Sequence, residues 1–323
     1  MRDHGPPKKA SSIAEYRKLR EEQGIRTQAF LEDPAFTLLA NVDVKNSTVS
    51  IPEVPDHRFP VRVYRPKDAE HSHPAMLFFH GGYWCAGDAN SEDLGNRAVI
   101  ARGTDIIIVS FECRRIPEVK WDTHLQDAEY AMKWLAENAS RLGADTRRGF
   151  LVGGAEAGAH LAAVCAIRAR NQYPDIRITG QVLIVPFLAP WTEDANIPEE
   201  WAGYLTSQQE NAEAPVLDIK HLKMFIDALG VPGSEKEKGE NFPLYASSLR
   251  GLPPAYIPVD ECDPIRDQGF LYAERLQEAG VLTRTDYYRG LPNMFVQFPE
   301  LPMTLKAGGQ LSAAVAWLLQ ERK

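Results

Sequence analysis

The chain has 323 residues, 44% hydrophobic and 25% charged, with a net charge of −8. Such a chain builds a sizeable core, and its acidic balance argues against general affinity for nucleic acid or an anionic membrane surface. No apolar run reaches transmembrane length, and the polar start MRDHGPPKKASSIAEYRKLREEQG lacks the apolar core of a secretory leader.

Residues 11 to 40 predict helices, the first ending at Gly24 in SIAEYRKLREEQG and the second carried by RTQAFLEDPAF. VRVYRP and AMLFFH follow as short strands bounded by turn residues. DIIIVSF is a continuous apolar run, the pattern of a strand buried on both faces. DTHLQDAEYAMKWLAENASRLG is an amphipathic helix stopped by Gly143. GFLVGG predicts a second buried strand, and AGAHLAAVCAIRARN the helix after it. GQVLIVPF, PAYIPVDE and TRTDYYRG predict later strands, QGFLYAERLQEAG a helix with a glycine stop, and residues 304 to 323 a terminal helix.

This alternation specifies an α/β fold: a mainly parallel sheet of about eight strands with helices on both faces. Residues 190 to 247 break the pattern. They lack strand signals and are rich in Trp, Tyr, Pro and charge, so a helical lid is expected there, joined by N-terminal helices within residues 1 to 50. Residues 51–189 and 248–323 then form the core. The stretches REEQ and GSEKEKGE read as solvated surface.

Four motifs occur in order: HGGYW after a strand, GAEAG after a strand, DECDPIRDQG and YRGLPNMF. With VSFECRRIPE between the first two, they resemble the hormone-sensitive-lipase group of carboxylesterases in the α/β-hydrolase fold. That family carries HGGG, G-x-S-x-G, D-P-x-x-D and G-x-x-H-x-F at these places, from about residue 60 to the C-terminus. HGGYW also resembles the kynurenine-formamidase-type hydrolases of the same fold.

The resemblance implies an oxyanion hole from the Gly81, Gly82 and Ala157 amides and a sharp strand-to-helix turn flanked by Gly154 and Gly158. It implies that Asp263 is the acid of a triad. Two triad members are replaced: Glu156 stands for the serine and Asn293 for the histidine. Asn does not shuttle a proton at neutral pH, so triad hydrolysis is not expected. Three accounts of Glu156 stay open. It is a general acid or base in cyclisation, elimination or isomerisation, as in dehydratases and cyclases that resemble the family. It lines a pocket that only binds, as in related plant hormone receptors. Or it is a carboxylate nucleophile, a route that needs a base which Asn293 removes. Under the first account, Glu156 and Asp263, with Asn293 between or beside them, form one polar floor in which the two carboxyl groups titrate together.

Tyr83 is expected to edge the pocket and Trp84 to pack. His160 is expected to be buried and hydrogen-bonded, His80 structural, and His124 solvent-facing or capping its helix. Cys85 and Cys262 flank the motifs and are candidates to line the pocket. With Cys113 and Cys165 they lack metal-ligand spacing, and reduced thiols in a cytoplasmic protein are expected. No H-E-x-x-H or C-x-x-C pattern calls for a metal. Gly153, Ala155 and Gly158 match a dinucleotide turn only imperfectly, so no cofactor is expected. The expected partner is a small, largely apolar substrate, and a homodimer is allowed.

Overall fold

A computed structural model describes residues 9–33, 39, 42–67, 72–191, 198–235 and 238–320. Residues 34–38 and 40 of the predicted N-terminal helices lie outside the described residues. So do 192–197 and 236–237 of the predicted lid and the last three residues of the terminal helix.

Ser12 caps the first helix, α1 (Ile13–Leu31), by accepting from the Glu15 amide. The helix runs through Gly24 instead of stopping there. No atom lies within 4 Å of where a Gly24 side chain would begin, so the residue is simply carried in an exposed turn. Tertiary anchors outweigh its poor propensity: Arg17 donates to the Cys85 and Ile116 carbonyls, and Gln23 to the Gln297 carbonyl.

Strands β1 (Val42–Ser50) and β2 (Arg58–Pro66) pair antiparallel, and β3 (Ala75–Phe79) follows. The polar sequence VDVKNSTVS hides β1, whose residues are mostly outside the core at the sheet edge; pairing with β2 makes it a strand. Helix α2 (Asp93–Ala101), also absent from the sequence reading, precedes β4 (Ile107–Phe111), and α3 (Trp121–Asn138) follows. Next come β5 (Phe150–Ala155), α4 (Ala157–Gln172) and β6 (Gly180–Ile184). The short helices α5 (Glu199–Ala202) and α6 (Ser207–Glu210) and the longer α7 (Ile219–Leu229) lie between β6 and β7 (Ala255–Tyr256). The chain closes with β8 (Val259–Cys262), α8 (Arg266–Glu278), β9 (Thr283–Arg284), β10 (Tyr287–Pro292) and α9 (Pro302–Gln320).

Eight strands form one sheet in the order β1-β2-β4-β3-β5-β6-β7-β9, parallel from β4 onward. PAYIPVDE and TRTDYYRG each split in two. Their second halves, β8 and β10, pair parallel in a separate two-stranded sheet. One apolar layer packs α3, α4 and α8 on one face, through Leu125, Met132, Leu161 and Leu276. The other packs α2 and α9 through Val99, Ile100, Val315 and Leu318. No helix among the described residues is long and apolar enough to cross a membrane.

Candidate active site

The parallel strands β3 and β5 end side by side, and their C-terminal turns build the site. Glycine is required on both. A side chain on Gly154 would meet the Gly158 carbonyl carbon at 2.2 Å, and one on Gly158 would meet the Phe79 carbonyl oxygen at 2.0 Å. The β5–α4 turn is therefore closed backbone on backbone. At its apex Glu156 adopts φ 52° and ψ −113°, a costly conformation for a residue with a side chain. Its amide donates to the Ile184 carbonyl at 2.9 Å, and its carbonyl accepts from His160 at 3.1 Å.

The Glu156 side chain turns back toward the HGGYW loop. The Gly82 amide donates to Oε2 at 2.8 Å, and the residue is 2% exposed. Burial raises its pKa; the Arg20 charge, the Gly82 amide and the adjacent Tyr83 hydroxyl oppose the rise. The three expected oxyanion donors thus have different fates. The Gly82 amide is taken by Glu156, and the Gly81 amide points to Glu92 Oε1 at 3.3 Å. The Ala157 amide has no acceptor among the described residues.

Asn293 Nδ2 donates to Asp263 Oδ2 at 2.9 Å, and the Ile265 amide donates to Oδ1 at 2.9 Å. No hydrogen bond joins Asn293 to Glu156. Of the two expected placements, between or beside the carboxyl groups, Asn293 thus takes the second, as a hydrogen-bond partner of Asp263. Asn293 lines the cavity, while Asp263 lies behind it, fully buried. Burial pushes Asp263 up to about 7, against the Asn293 and Ile265 donors that hold it down.

Glu156 opens onto a cavity of about 390 Å³. Tyr16 and Arg20 of α1 and Phe225 of α7 line it, with Tyr83 stacked on Phe225 at 4.7 Å between ring centres. Trp84 packs edge-on to Phe187. Neither Cys85 nor Cys262 lines this cavity, and burial pushes the Cys85 thiol up to about 12, where it is inert.

Among the described residues no imidazole replaces the missing one. His160 Nε2 lies 2.6 Å from the Asn241 carbonyl, and burial lowers its pKa to about 4. His124 is 3% exposed, not solvent-facing, because α3 packs that side against the core; burial lowers it to about 3. His80 Nδ1 lies 2.7 Å from the Gly81 carbonyl. His221 lines the cavity, but both its ring nitrogens are engaged, by Asp218 and the Ala10 carbonyl.

Two site residues escaped the sequence reading. Arg20, within the supposedly solvated REEQ, is only 10% exposed at its side chain and lies 3.7 Å from Glu92. Helix α1 is polar all round, so periodicity gave no sign of which side docks. Glu92, just before α2, is 9% exposed, and burial pushes it up to about 8. The signal available was an acidic residue at a helix start, where capping is the common role.

Glu92 and Asp263 make stability depend on pH. Both hold protons in the fold at pH values where the unfolded chain, with carboxyl pKa values near 4, has lost them. Stability contributed this way is fully present below about pH 4 and falls as pH rises through about 7 and 8. Glu92→Gln needs no proton and keeps an acceptor for the Gly81 amide. It is expected to remove part of the decline between pH 5 and 8, on the order of a few kcal/mol. Thermal unfolding across that range checks it; a profile parallel to wild type means Glu92 is ionised in the fold.

Residues 76–297 match the family model described as the alpha/beta hydrolase fold. Carboxylesterase NlhH of Mycobacterium tuberculosis is 33% identical over 283 residues, covering 86% of this chain and 83% of the relative. Versiconal hemiacetal acetate esterase of Dothistroma septosporum is 29% identical over 266 residues, covering 81% and 78%. Among solved structures, vibralactone cyclase superposes with a TM-score of 0.88 at 25% identity, covering 99% of this chain and 93% of that one. The Pyrobaculum calidifontis esterase superposes at 0.81 with 27% identity, covering 98% and 96%.

Proposed function

This chain belongs to the hormone-sensitive-lipase-like carboxylesterases of the α/β-hydrolase fold, and we propose that it performs proton-transfer chemistry in place of ester hydrolysis. The reaction is a cyclisation, elimination or isomerisation of a small metabolite, with Glu156 as the acid/base. One observation carries this reading: a buried, pKa-raised carboxylate stands on the nucleophile turn, facing a cavity in which no imidazole of the described residues is free. The similarity to vibralactone cyclase supports ring closure over the other two reactions.

In this reading Glu156 takes a proton from the substrate and returns it at a second atom. The Ala157 amide meets developing negative charge on oxygen. Asn293, held on Asp263, keeps a fixed amide in the cavity wall where the family's histidine would move. The lid is the α5–α7 segment, joined by α1. The nucleophile route is disfavoured because an acyl or alkyl intermediate on Glu156 would wait for a water that no base activates.

A pocket that only binds is the second reading. It is favoured by the Gly82–Glu156 hydrogen bond, which places the protein's own carboxylate where a substrate oxyanion would sit. Glu156→Gln separates the two, since it keeps shape and an acceptor for Gly82 but carries no proton. The substrate for the test is whichever small molecule native mass spectrometry finds on the purified protein. Turnover of that molecule is expected to fall about 10²-fold in Glu156→Gln, with affinity nearly unchanged. Unchanged turnover, or no turnover by the wild type, supports the binding reading instead.

A further inference from the structure

Two arginines one turn apart on α1 behave differently. Arg17 is satisfied: it donates to the Cys85 and Ile116 carbonyls and to both Glu118 carboxylate oxygens. Arg20 makes no hydrogen bond with any described residue, although its side chain is nine-tenths buried. Its nearest acid, Glu92, stands 3.7 Å away, outside hydrogen-bonding reach. Burial pushes the Glu92 carboxyl up to about 8, so it gives the guanidinium little compensation on that side at neutral pH, and Glu156 is the cavity carboxyl that the Arg20 charge reaches. A largely buried guanidinium that finds no hydrogen-bond acceptor among the described residues leaves its N–H donors to be met by solvent or by a ligand in the cavity.

The surroundings say what kind of ligand. Arg20 faces the same cavity as Glu156. Lys9, on the same wall, is bound by Asp218, which also holds His221; Arg26 lines the cavity too, but at an exposed position. Gln297 adds a second unsatisfied donor: it lines the cavity and its Nε2 has no partner. Leu19, Leu217, Phe225 and Phe298 give the wall its apolar surface, and Glu22, Arg26 and Glu300 add charged groups to it. The Gly82 amide, which would otherwise bind a substrate oxygen, is occupied by Glu156.

We propose that Arg20 is the anchor for a substrate carboxylate: the site takes a small monocarboxylate whose charged end is held by the Arg20 guanidinium, with Gln297 beside it, and whose apolar body lies against Phe225 and Leu217. A planar guanidinium suits a carboxylate because two parallel N–H donors meet its two oxygens. The proposal rests on the Glu156 reading only for what happens to the bound molecule, not for how it is held.

The test is calorimetric titration with sodium hexanoate, hexanamide and 1-hexanol, which share the chain and differ in the head. Wild-type protein is expected to bind hexanoate at least tenfold more tightly than either neutral analogue. Arg20→Gln is expected to lose at least tenfold in hexanoate affinity while hexanamide binding stays within twofold. Arg20→Lys, which keeps the charge without the fork, is expected to recover part of the loss and guards against a folding artefact. Glu156→Gln is expected to keep hexanoate binding, so loss of turnover there and loss of the anchor in Arg20→Gln are separate results. Hexanoate binding no tighter than hexanamide in the wild type, or undiminished hexanoate binding in Arg20→Gln, overturns the proposal.

Discussion

Glu156→Ser combined with Asn293→His is expected to turn this protein into an esterase, raising turnover of short p-nitrophenyl esters about 10³-fold over either single variant. The backbone is already shaped for it. Position 156 holds the strained conformation that presents a nucleophile, and replacing its carboxylate frees the Gly82 amide for an oxyanion. Position 293 already directs a nitrogen to Asp263 at 2.9 Å, so an imidazole there has its orienting carboxylate in place. Neither single change suffices: serine without imidazole is a weak nucleophile, and imidazole beside Glu156 has no hydroxyl to activate. The wild type itself is expected to hydrolyse these esters no faster than Glu156→Ala. Equal rates in the double and a single variant would contradict the geometry. Robust wild-type hydrolysis abolished by Glu156→Ala would revive the carboxylate nucleophile.

Gly158→Ala is expected to destabilise the fold by roughly 3 kcal/mol or more. The added methyl would stand 2.0 Å from the Phe79 carbonyl oxygen and 2.5 Å from that of His80. Both are backbone atoms at the end of β3, and Gly154 already fills the other side. The start of α4 must then lift away from β3, carrying Glu156 off the Gly82 amide. Gly153→Ala is the control. Its methyl would meet only the side chains of Phe78, Val182 and Met76, at 3.2–3.3 Å. Phe78 and Met76 can turn aside, and Val182 has to give by only a few tenths of an ångström, so a cost of about 1 kcal/mol is expected. Thermal unfolding of both variants checks the contrast; equal losses would mean that the backbone contact at Gly158 is not what shapes the turn.

Much of the architecture was legible in the chain because its signals are local. Buried parallel strands need continuous apolar runs such as DIIIVSF and GFLVGG, and helix stops such as Gly143 need a left-handed residue, here at φ 82°. The glycines of HGGYW and GAEAG mark close backbone approach, so the turn and the Glu156 substitution were both readable. Edge strand β1 was not, because most of its residues lie outside the core and its hydrogen-bond partner lies eight residues or more away in the chain. The split of PAYIPVDE was equally hidden: Ile257 and Pro258 look like strand until sheet twist sends the second half to β10.

The sequence by itself determined the hydrolase-like scaffold and the loss of its serine and histidine, because both are identities at spaced positions. Only the tertiary structure decided how the remaining polar groups pair. It put the Glu156 carboxylate on the Gly82 amide, turned Asn293 to Asp263 alone, and brought together Arg20 from α1 and Glu92 from the turn before α2. Hydrogen bonds and charge interactions act over a few ångströms in space, so residues separated by 74 positions, as Gly82 and Glu156 are, become partners only when the strands that carry them lie side by side.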